Sequence, residues 1–155
     1  MTYERVYAED VPVRTEIELG EHRVTRGEII AFARQWDPQP FHVDEEFARG
    51  TVFGDLIGSG LHTMAIFQRL AVTRLYRHWA IIAGRAINDV RMTRPLRPDT
   101  TVRATVWVDS VEPDSPSRSL MRKTGTVWHG DHVMMTIGVE SYIARRLGDE
   151  GASPC

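Results

Sequence analysis

Four strand-like segments follow one another along the chain with no helix between them, and this order most restricts the fold. They cover residues 80–94, 101–111, 118–128 and 133–142, and residues 129–132 have the composition of a hairpin turn. A long helix is predicted over residues 60–77, with an apolar surface too broad for a helix that faces solvent. Because consecutive strands favour antiparallel pairing, we expect an α+β fold in which an antiparallel sheet wraps around one long central helix.

The first part of the chain contains shorter predicted elements. Alternating apolar residues indicate a strand over residues 14–19, and Gly20 is expected to turn the chain. Thr25 and Glu28 have the spacing of a capping box, so a helix is predicted to begin there and to end near Trp36, before two prolines.

A single domain is expected over residues 1–155, because this length suffices for one sizeable core and no repeat divides the chain. Its core is predicted to span about residues 14–145, with a brief helical turn at residues 44–50. Residues 148–155 are small and polar, and we expect a flexible tail there.

The composition argues against several classes of protein. The formal net charge is −2, so no strong positive field favours nucleic acid or anionic membranes. The single cysteine, Cys155, allows no internal disulfide, and the first residues lack the apolar core of a signal peptide. The longest apolar run, residues 80–83, is too short to span a membrane. We therefore expect a cytoplasmic protein that binds neither nucleic acid nor membrane.

An aspartate and a histidine flank a proline-rich turn, Asp37-Pro38-Gln39-Pro40-Phe41-His42. The prolines are expected to keep this backbone out of a helix, so that His42 lies in an irregular segment and both side chains can point at one spot. A carboxylate and an imidazole that converge can position and activate a water molecule. The pattern alone leaves a second interpretation open, since Asp-Pro often ends a helix and a histidine is often only a satisfied polar group.

A glycine cluster, Gly58-Ser59-Gly60, lies where the long helix begins. A helix N-terminus offers unpaired N–H groups, and glycine allows a substrate carbonyl to approach them closely. An acid, a histidine and an N–H donor are what proton transfer beside a carbonyl group requires. Ser59 lies in no Gly-x-Ser-x-Gly elbow, so it is not expected to be a nucleophile. No histidine has metal-ligand spacing, and we expect no metal.

Residues 32–48 resemble the hydratase signature of the MaoC-like proteins, the R-specific enoyl-CoA hydratases. The resemblance lies in Phe32-Ala33, in the run from Asp37 through Pro38-Gln39-Pro40-Phe41-His42-Val43 to Asp44, and in Ala48. Further on, residues 53–60 are similar to the loop that enters the family's central helix, and residues 90–100 to its strand-and-turn segment. In all, the resemblance covers about residues 24–144.

This resemblance implies a hotdog fold and a homodimer whose sheets join edge to edge, with higher oligomers left open. It implies addition of water to the trans-2 double bond of an enoyl thioester, or the reverse, with an R-3-hydroxyacyl product and no cofactor. The substrate would be carried by CoA or by acyl carrier protein. Asp37 and His42 would form the catalytic pair, and the backbone N–H of Gly60 would stabilise the enolate oxygen.

Three further residues, Ser59, Gly58 and Gln68, are expected to contribute to substrate binding. Gln68 stands where shorter members of the family place a serine near the catalytic acid, two turns into the central helix. A glutamine amide can also donate a hydrogen bond to that acid. Gln39 stands where the best-known form of the motif has asparagine.

Two other functions compete with hydration. An acyl-CoA thioesterase of the hotdog type usually needs an acid on or near the central helix, and residues 60–77 contain none. Glu45, Glu46 and Asp55 would serve only if their loops folded inward. A non-catalytic acyl-CoA-binding subunit would not need to keep both Asp37 and His42. The sequence does not specify the acyl chain.

Overall fold

The computed structural model describes residues 4–147, and the predicted tail at residues 148–155 lies outside them. In chain order the helices and strands are β1 (Glu16–Val24), α1 (Arg26–Trp36), α2 (Pro40–Val43), α3 (Glu45–Arg49), α4 (Gly60–Arg74), β2 (Ile81–Met92), β3 (Thr100–Ser115), β4 (Arg118–His129) and β5 (His132–Ala144). Short 3-10 turns cover Ala8–Asp10 and Tyr76–His78.

The five strands form one antiparallel sheet in the order β1-β3-β4-β5-β2. This confirms the antiparallel pairing predicted from the run of consecutive strands. A two-residue turn joins β4 to β5 at Gly130 and Asp131, and Gly130 has a φ angle of 57°, as such hairpin turns favour. β1 and β2 are the two edges of the sheet.

The central helix α4 packs against the inner face of this sheet. Phe67 of α4 is 1% exposed and lies against Gly125 of β4. A Cβ atom at Gly125 would lie 2.3 Å from Cζ of Phe67, so only glycine lets the strand approach the helix this closely. The sequence prediction of a sheet around one long buried helix is therefore confirmed.

Two strands run well past their predicted ends. β1 does not turn at Gly20 but continues to Val24, because Gly20, with a φ angle of 96°, lies at an irregularity in the pairing with β3. β3 continues past the predicted residue 111 to Ser115, and its pairing with β4 shifts register between Val108 and Ser110 and again between Pro113 and Ser115.

Two helical expectations were also wrong. His42 does not lie in irregular backbone but in the short helix α2, which Pro40 begins; proline fits a first helical position because no N–H is needed there. α4 ends at Arg74, earlier than the predicted residue 77, and a 3-10 turn follows. Within residues 4–147 no helix combines the length and the apolar character that crossing a membrane requires.

Candidate active site

Asp37 is placed by the end of α1. Its backbone N–H donates to the carbonyl oxygen of Ala33 at 2.8 Å, and Pro38 follows directly, so the helix stops there. The Asp37 side chain keeps 23% of its surface exposed. The carboxylate is thus fixed to a helix end and still accessible to a small molecule.

His42 faces Asp37 from α2, and its tautomer follows from its contacts. Nδ1 lies 2.6 Å from the carbonyl oxygen of Ile57, which can only accept, so Nδ1 carries the proton in the neutral ring. Nε2 therefore presents a lone pair, 3.4 Å from Oδ2 of Asp37. The buried imidazole is held in the form that a general base needs.

Ser59 connects Asp37 to the central helix. Its hydroxyl group donates to Oδ2 of Asp37 at 2.6 Å and accepts the N–H of Leu61 at 3.2 Å, which makes Ser59 the N-cap of α4. From the sequence Ser59 was expected to contribute to substrate binding. In the structure it is fully buried and contacts the candidate acid instead.

A cavity of about 310 Å³ lies in front of these groups. His42, Gly58 and Gly60 line it together with Thr63 and Met92, whereas Asp37 and Ser59 are not among its lining residues. Gly60 is the first residue of α4, and no acceptor within residues 4–147 hydrogen-bonds its N–H. The cavity is therefore lined by the candidate base and by the N-terminal end of a helix.

Gln68 is not placed where the sequence comparison with shorter relatives suggested. It lines a different cavity, together with Tyr76 and Lys123. The hydrogen bond to Asp37 that the sequence suggested for Gln68 is donated by Ser59.

A second polar cluster joins α1 to α4, and the sequence did not reveal it. Glu28 accepts hydrogen bonds from Nε2 of His22 at 2.8 Å and from Nε2 of His62 at 3.1 Å. His62 also stacks on Phe32, with ring centres 4.5 Å apart. Only half of the predicted capping box forms: Thr25 accepts the N–H of Glu28, but the Glu28 side chain binds the two histidines.

The pKa values in this cluster reflect burial and pairing. Burial raises the pKa of Glu28, but the hydrogen bonds from His22 and His62 outweigh it and leave that pKa lowered. Burial lowers the pKa of His62, and Glu28 offsets this only in part. The Nδ1 atom of His62 is buried and has no partner among residues 4–147, so a proton placed there would find no acceptor.

No group of three or more His, Cys, Asp or Glu side chains in the described part of the chain is arranged to hold a metal ion. His22, Glu28 and His62 bond to one another directly. Their contacts are those of a structural link between α1 and α4.

The chain is similar to known proteins in both sequence and fold. Residues 9–127 match the family described as "MaoC like domain". Among solved structures, the MaoC-like dehydratase from Rhodospirillum rubrum superimposes with a TM-score of 0.82 at 33% identity, over 91% of this chain and 98% of that one.

Two curated relatives carry enzyme names. The 3-hydroxybutyryl-CoA dehydratase of Methylorubrum extorquens is 28% identical, over 84% of this chain and 79% of the relative. The (R)-specific enoyl-CoA hydratase of Rhodospirillum rubrum is 29% identical, over 70% of this chain and 73% of the relative. Both names describe reactions at a hydroxyacyl or enoyl thioester.

Proposed function

This chain belongs to the family of MaoC-like domains and has the hotdog fold, and on that premise we propose that it is a hydro-lyase acting on acyl thioesters. The reaction is reversible addition of water to a 2-enoyl thioester, which gives an R-3-hydroxyacyl thioester. The observation that carries the proposal is the Nε2 lone pair of His42, 3.4 Å from Asp37 and beside a cavity that also meets the N-terminus of α4.

In this reaction His42 and Asp37 hold one water molecule between them. The Nδ1 proton is engaged by Ile57, so Nε2 accepts a proton from the water as its oxygen attacks C3 of the substrate. The proton taken up by Nε2 passes to Oδ2 of Asp37, 3.4 Å away, and from Asp37 to C2, so that both side chains return to their starting states. Since both groups act from one side of the double bond, addition is syn.

Negative charge develops on the thioester oxygen as C3 is attacked. The Gly60 N–H lies at the positive end of the α4 dipole and has no other acceptor within the described residues, so it is available to this oxygen. Losing such a donor typically costs about 3 kcal/mol of transition-state stabilisation. The absence of a Cβ at Gly60 also allows a thioester to approach the backbone.

Hydration of crotonyl-CoA, followed by loss of the absorbance of the conjugated double bond, tests this function. Asp37→Asn and His42→Ala should each reduce kcat by at least about 100-fold. Asp109→Asn and His129→Ala remove the same residue types from exposed positions on β3 and β4, and they should retain activity. Activity that survives both site substitutions would contradict the assignment, and a product other than the R isomer would contradict its stereochemistry.

The thioesterase alternative finds no support in the placement of the acids. α4 contains no Asp or Glu, and none of Glu45, Glu46 and Asp55 lines the cavity beside His42. Glu45 and Asp55 pair instead with Arg26, at 3.5 and 3.0 Å. The alternative of a non-catalytic binding subunit would gain if the wild-type protein left a panel of enoyl thioesters unchanged.

We further propose that the active form is a homodimer joined through β2. Within residues 4–147 this edge strand pairs only with β5, and it exposes large apolar side chains, among them Ile82, Ile87 and Met92. Light scattering should give twice the 17.6 kDa of one chain. Ile87→Lys should shift the mass to that of one chain, whereas Val52→Lys, at a fully exposed position outside β2, should not.

A further inference from the structure

Lys123 is the only lysine among the nineteen lysines and arginines of the chain, and it is buried. Its side chain lies on the inner face of β4. The buried Met121 and Gly125, each two positions away, share this face, and Gly125 contacts Phe67. Burying an ammonium group is unfavourable unless hydrogen bonds or an opposite charge compensate for lost hydration. An amine at this position therefore calls for a partner.

The described residues satisfy only part of the hydrogen-bonding capacity of the Lys123 amine. Nζ of Lys123 donates one hydrogen bond, to Oγ of Ser141 at 2.8 Å, and lies 4.1 Å from the ring centre of Tyr76. An ammonium group can donate three hydrogen bonds. No carboxylate within residues 4–147 forms an ion pair with it, and Glu140, in the same region, pairs with Arg85 and Arg122 instead.

A cavity of about 510 Å³ borders this amine, separate from the one beside His42. Its polar wall includes Lys123, Gln68, Tyr76 and Ser141. The Tyr76 hydroxyl group is buried and has no hydrogen-bond partner among the described residues. Buried polar groups are nearly always paired, so an amine with spare donors beside an unpartnered hydroxyl indicates a ligand with acceptor atoms.

We propose that this second cavity binds the carboxylate group of an organic acid, held by Lys123 and by the hydroxyl group of Tyr76. Two carboxylate oxygens can accept from the amine and the hydroxyl at once, and a charge-assisted hydrogen bond is the stronger kind. The amide of Gln68 offers a further donor. The remaining wall includes Ile81, Ile87 and Val139, which suits a hydrocarbon chain better than an inorganic anion.

The charge state of Lys123 makes the binding sensitive to pH. Burial lowers the pKa of Lys123 to about 7, and a bound carboxylate favours the protonated form. Binding above that pKa therefore takes up a proton, and affinity falls as the pH rises. Arg85 of β2 and Glu140 of β5 also line the cavity but pair with each other, and burial raises the pKa of Tyr76, which keeps its proton.

The bound carboxylate belongs either to a free organic acid or to the far end of an acyl chain. Only the second alternative rests on the proposed function. Thr63 of α4 lines the first cavity and Gln68 lines the second. These residues are about 7.5 Å apart along the helix axis. An acyl chain that begins beside Gly60 and follows α4 would bring a distal carboxylate to Lys123, and the substrate would then be a dicarboxylic acyl thioester.

Calorimetry with succinate tests the site without requiring any enzymatic activity. At a pH about one unit above the Lys123 pKa, the full-length protein should take up about one proton per succinate, measured in buffers of different ionisation enthalpy. Lys123→Met should weaken binding at least about tenfold, and Tyr76→Phe, which keeps the amine, several-fold. Arg103→Met removes a positive charge from a partly exposed pair with Glu18 and should leave binding unchanged.

Kinetics with two thioesters of equal length then distinguish the sources. If the wild type prefers trans-2-decenedioyl-CoA over trans-2-decenoyl-CoA and Lys123→Met does not, the bound carboxylate is the far end of an acyl chain. If succinate binds but the wild type shows no such preference, the ligand is a free organic acid. The proposal is overturned when neither succinate binding nor the thioester preference depends on Lys123 and Tyr76. Crotonyl-CoA hydration by the same protein shows separately whether the proposed function holds.

Discussion

The hydroxyl group of Ser59 lies 2.6 Å from a carboxylate oxygen of Asp37, and it joins the start of α4 to the end of α1. The same hydroxyl oxygen accepts the N–H of Leu61. One buried side chain therefore caps the central helix and orients the candidate acid. The geometry of Asp37 relative to His42 depends on a residue that is not among those lining the cavity.

Ser59→Ala should lower kcat for crotonyl-CoA by about 10- to 100-fold, because Asp37 loses the hydrogen bond that orients its carboxylate. Loss of the helix cap should also lower the free energy of unfolding by about 1 kcal/mol. Steady-state kinetics and denaturant unfolding measure the two effects. Ser59→Thr retains the hydroxyl group and should recover part of both.

Thr25→Ala is the matched control for this substitution. Thr25 caps α1 by accepting the N–H of Glu28 at 3.1 Å, as Ser59 caps α4, but it has no contact with Asp37. Thr25→Ala should lower the free energy of unfolding by about as much as Ser59→Ala and leave kcat unchanged. Equal losses of kcat in the two variants would mean that Ser59 acts only through stability.

Gly60→Ala should reduce kcat/KM by about 10- to 100-fold through crowding in the cavity. A Cβ atom at residue 60 would lie 2.0 Å from Sδ of Met92, whose side chain also lines that cavity. Because Met92 is flexible and exposed, the methyl group should displace it rather than unfold the protein. The double variant Gly60→Ala/Met92→Ala should recover most of the activity. If it does not, the loss of kcat/KM comes from a change in the backbone at residue 60 and not from the clash with Met92.

Gly58→Ala should behave differently from Gly60→Ala. A Cβ atom there would lie 2.7 Å from Cδ2 and 3.1 Å from Cβ and Cγ of Leu96, a core residue that is 2% exposed. Overpacking of this kind typically costs about 1–3 kcal/mol of stability. Thermal unfolding should therefore separate the two substitutions, with the lower midpoint in Gly58→Ala.

Local signals in the sequence predicted the elements that depend on local physics. The Thr25 cap, the stop before Pro38 and the turn at Gly130 each rest on residues within a few positions of one another, and all three appear in the structure. Gly20 shows the limit of such signals. A positive φ angle serves a turn and a bulge equally well, and only pairing with β3 decides between them.

The contacts that sequence reasoning missed join distant parts of the chain. Ser59 lies 22 residues from Asp37, and His62 lies 34 residues from Glu28. Neither pair leaves a periodic trace, since each forms only after α1 packs beside α4. The placement of Gln68 failed for a related reason: counting along the helix from Gly60 fixes its turn but not which cavity its side chain enters.

His62 should make the protein sensitive to acid. Burial lowers the pKa of His62 below its ordinary value of 6.5, so between these values the unfolded chain holds more protons than the folded one. The contribution of His62 to stability is thus present above pH 6.5 and is lost as the pH falls through the lowered pKa. His62→Phe keeps an aromatic ring to stack on Phe32 and should reduce this loss in denaturation measured over a pH series.

His129→Ala provides the control for that measurement, because His129 is exposed on the β4–β5 hairpin. Its removal should leave the loss of stability below pH 6.5 as it is in the wild type. A pH dependence in His62→Phe equal to that of the wild type would assign the acid sensitivity to another group.

Lys123 should make stability rise with pH as His62 does, but over a higher pH range. Burial lowers the pKa of Lys123 from 10.5 to about 7, so between these values the unfolded state binds the extra proton and stability rises with pH. The expected slope is about 1.4 kcal/mol per pH unit, measured by denaturation between about pH 7 and 9. Lys123→Met has no amine to neutralise and should lack this rise, and it should be at least as stable as the wild type near neutral pH, since a buried amine is replaced by an apolar side chain. A variant that kept the full slope would show that the Lys123 amine is already solvated or paired in the folded protein.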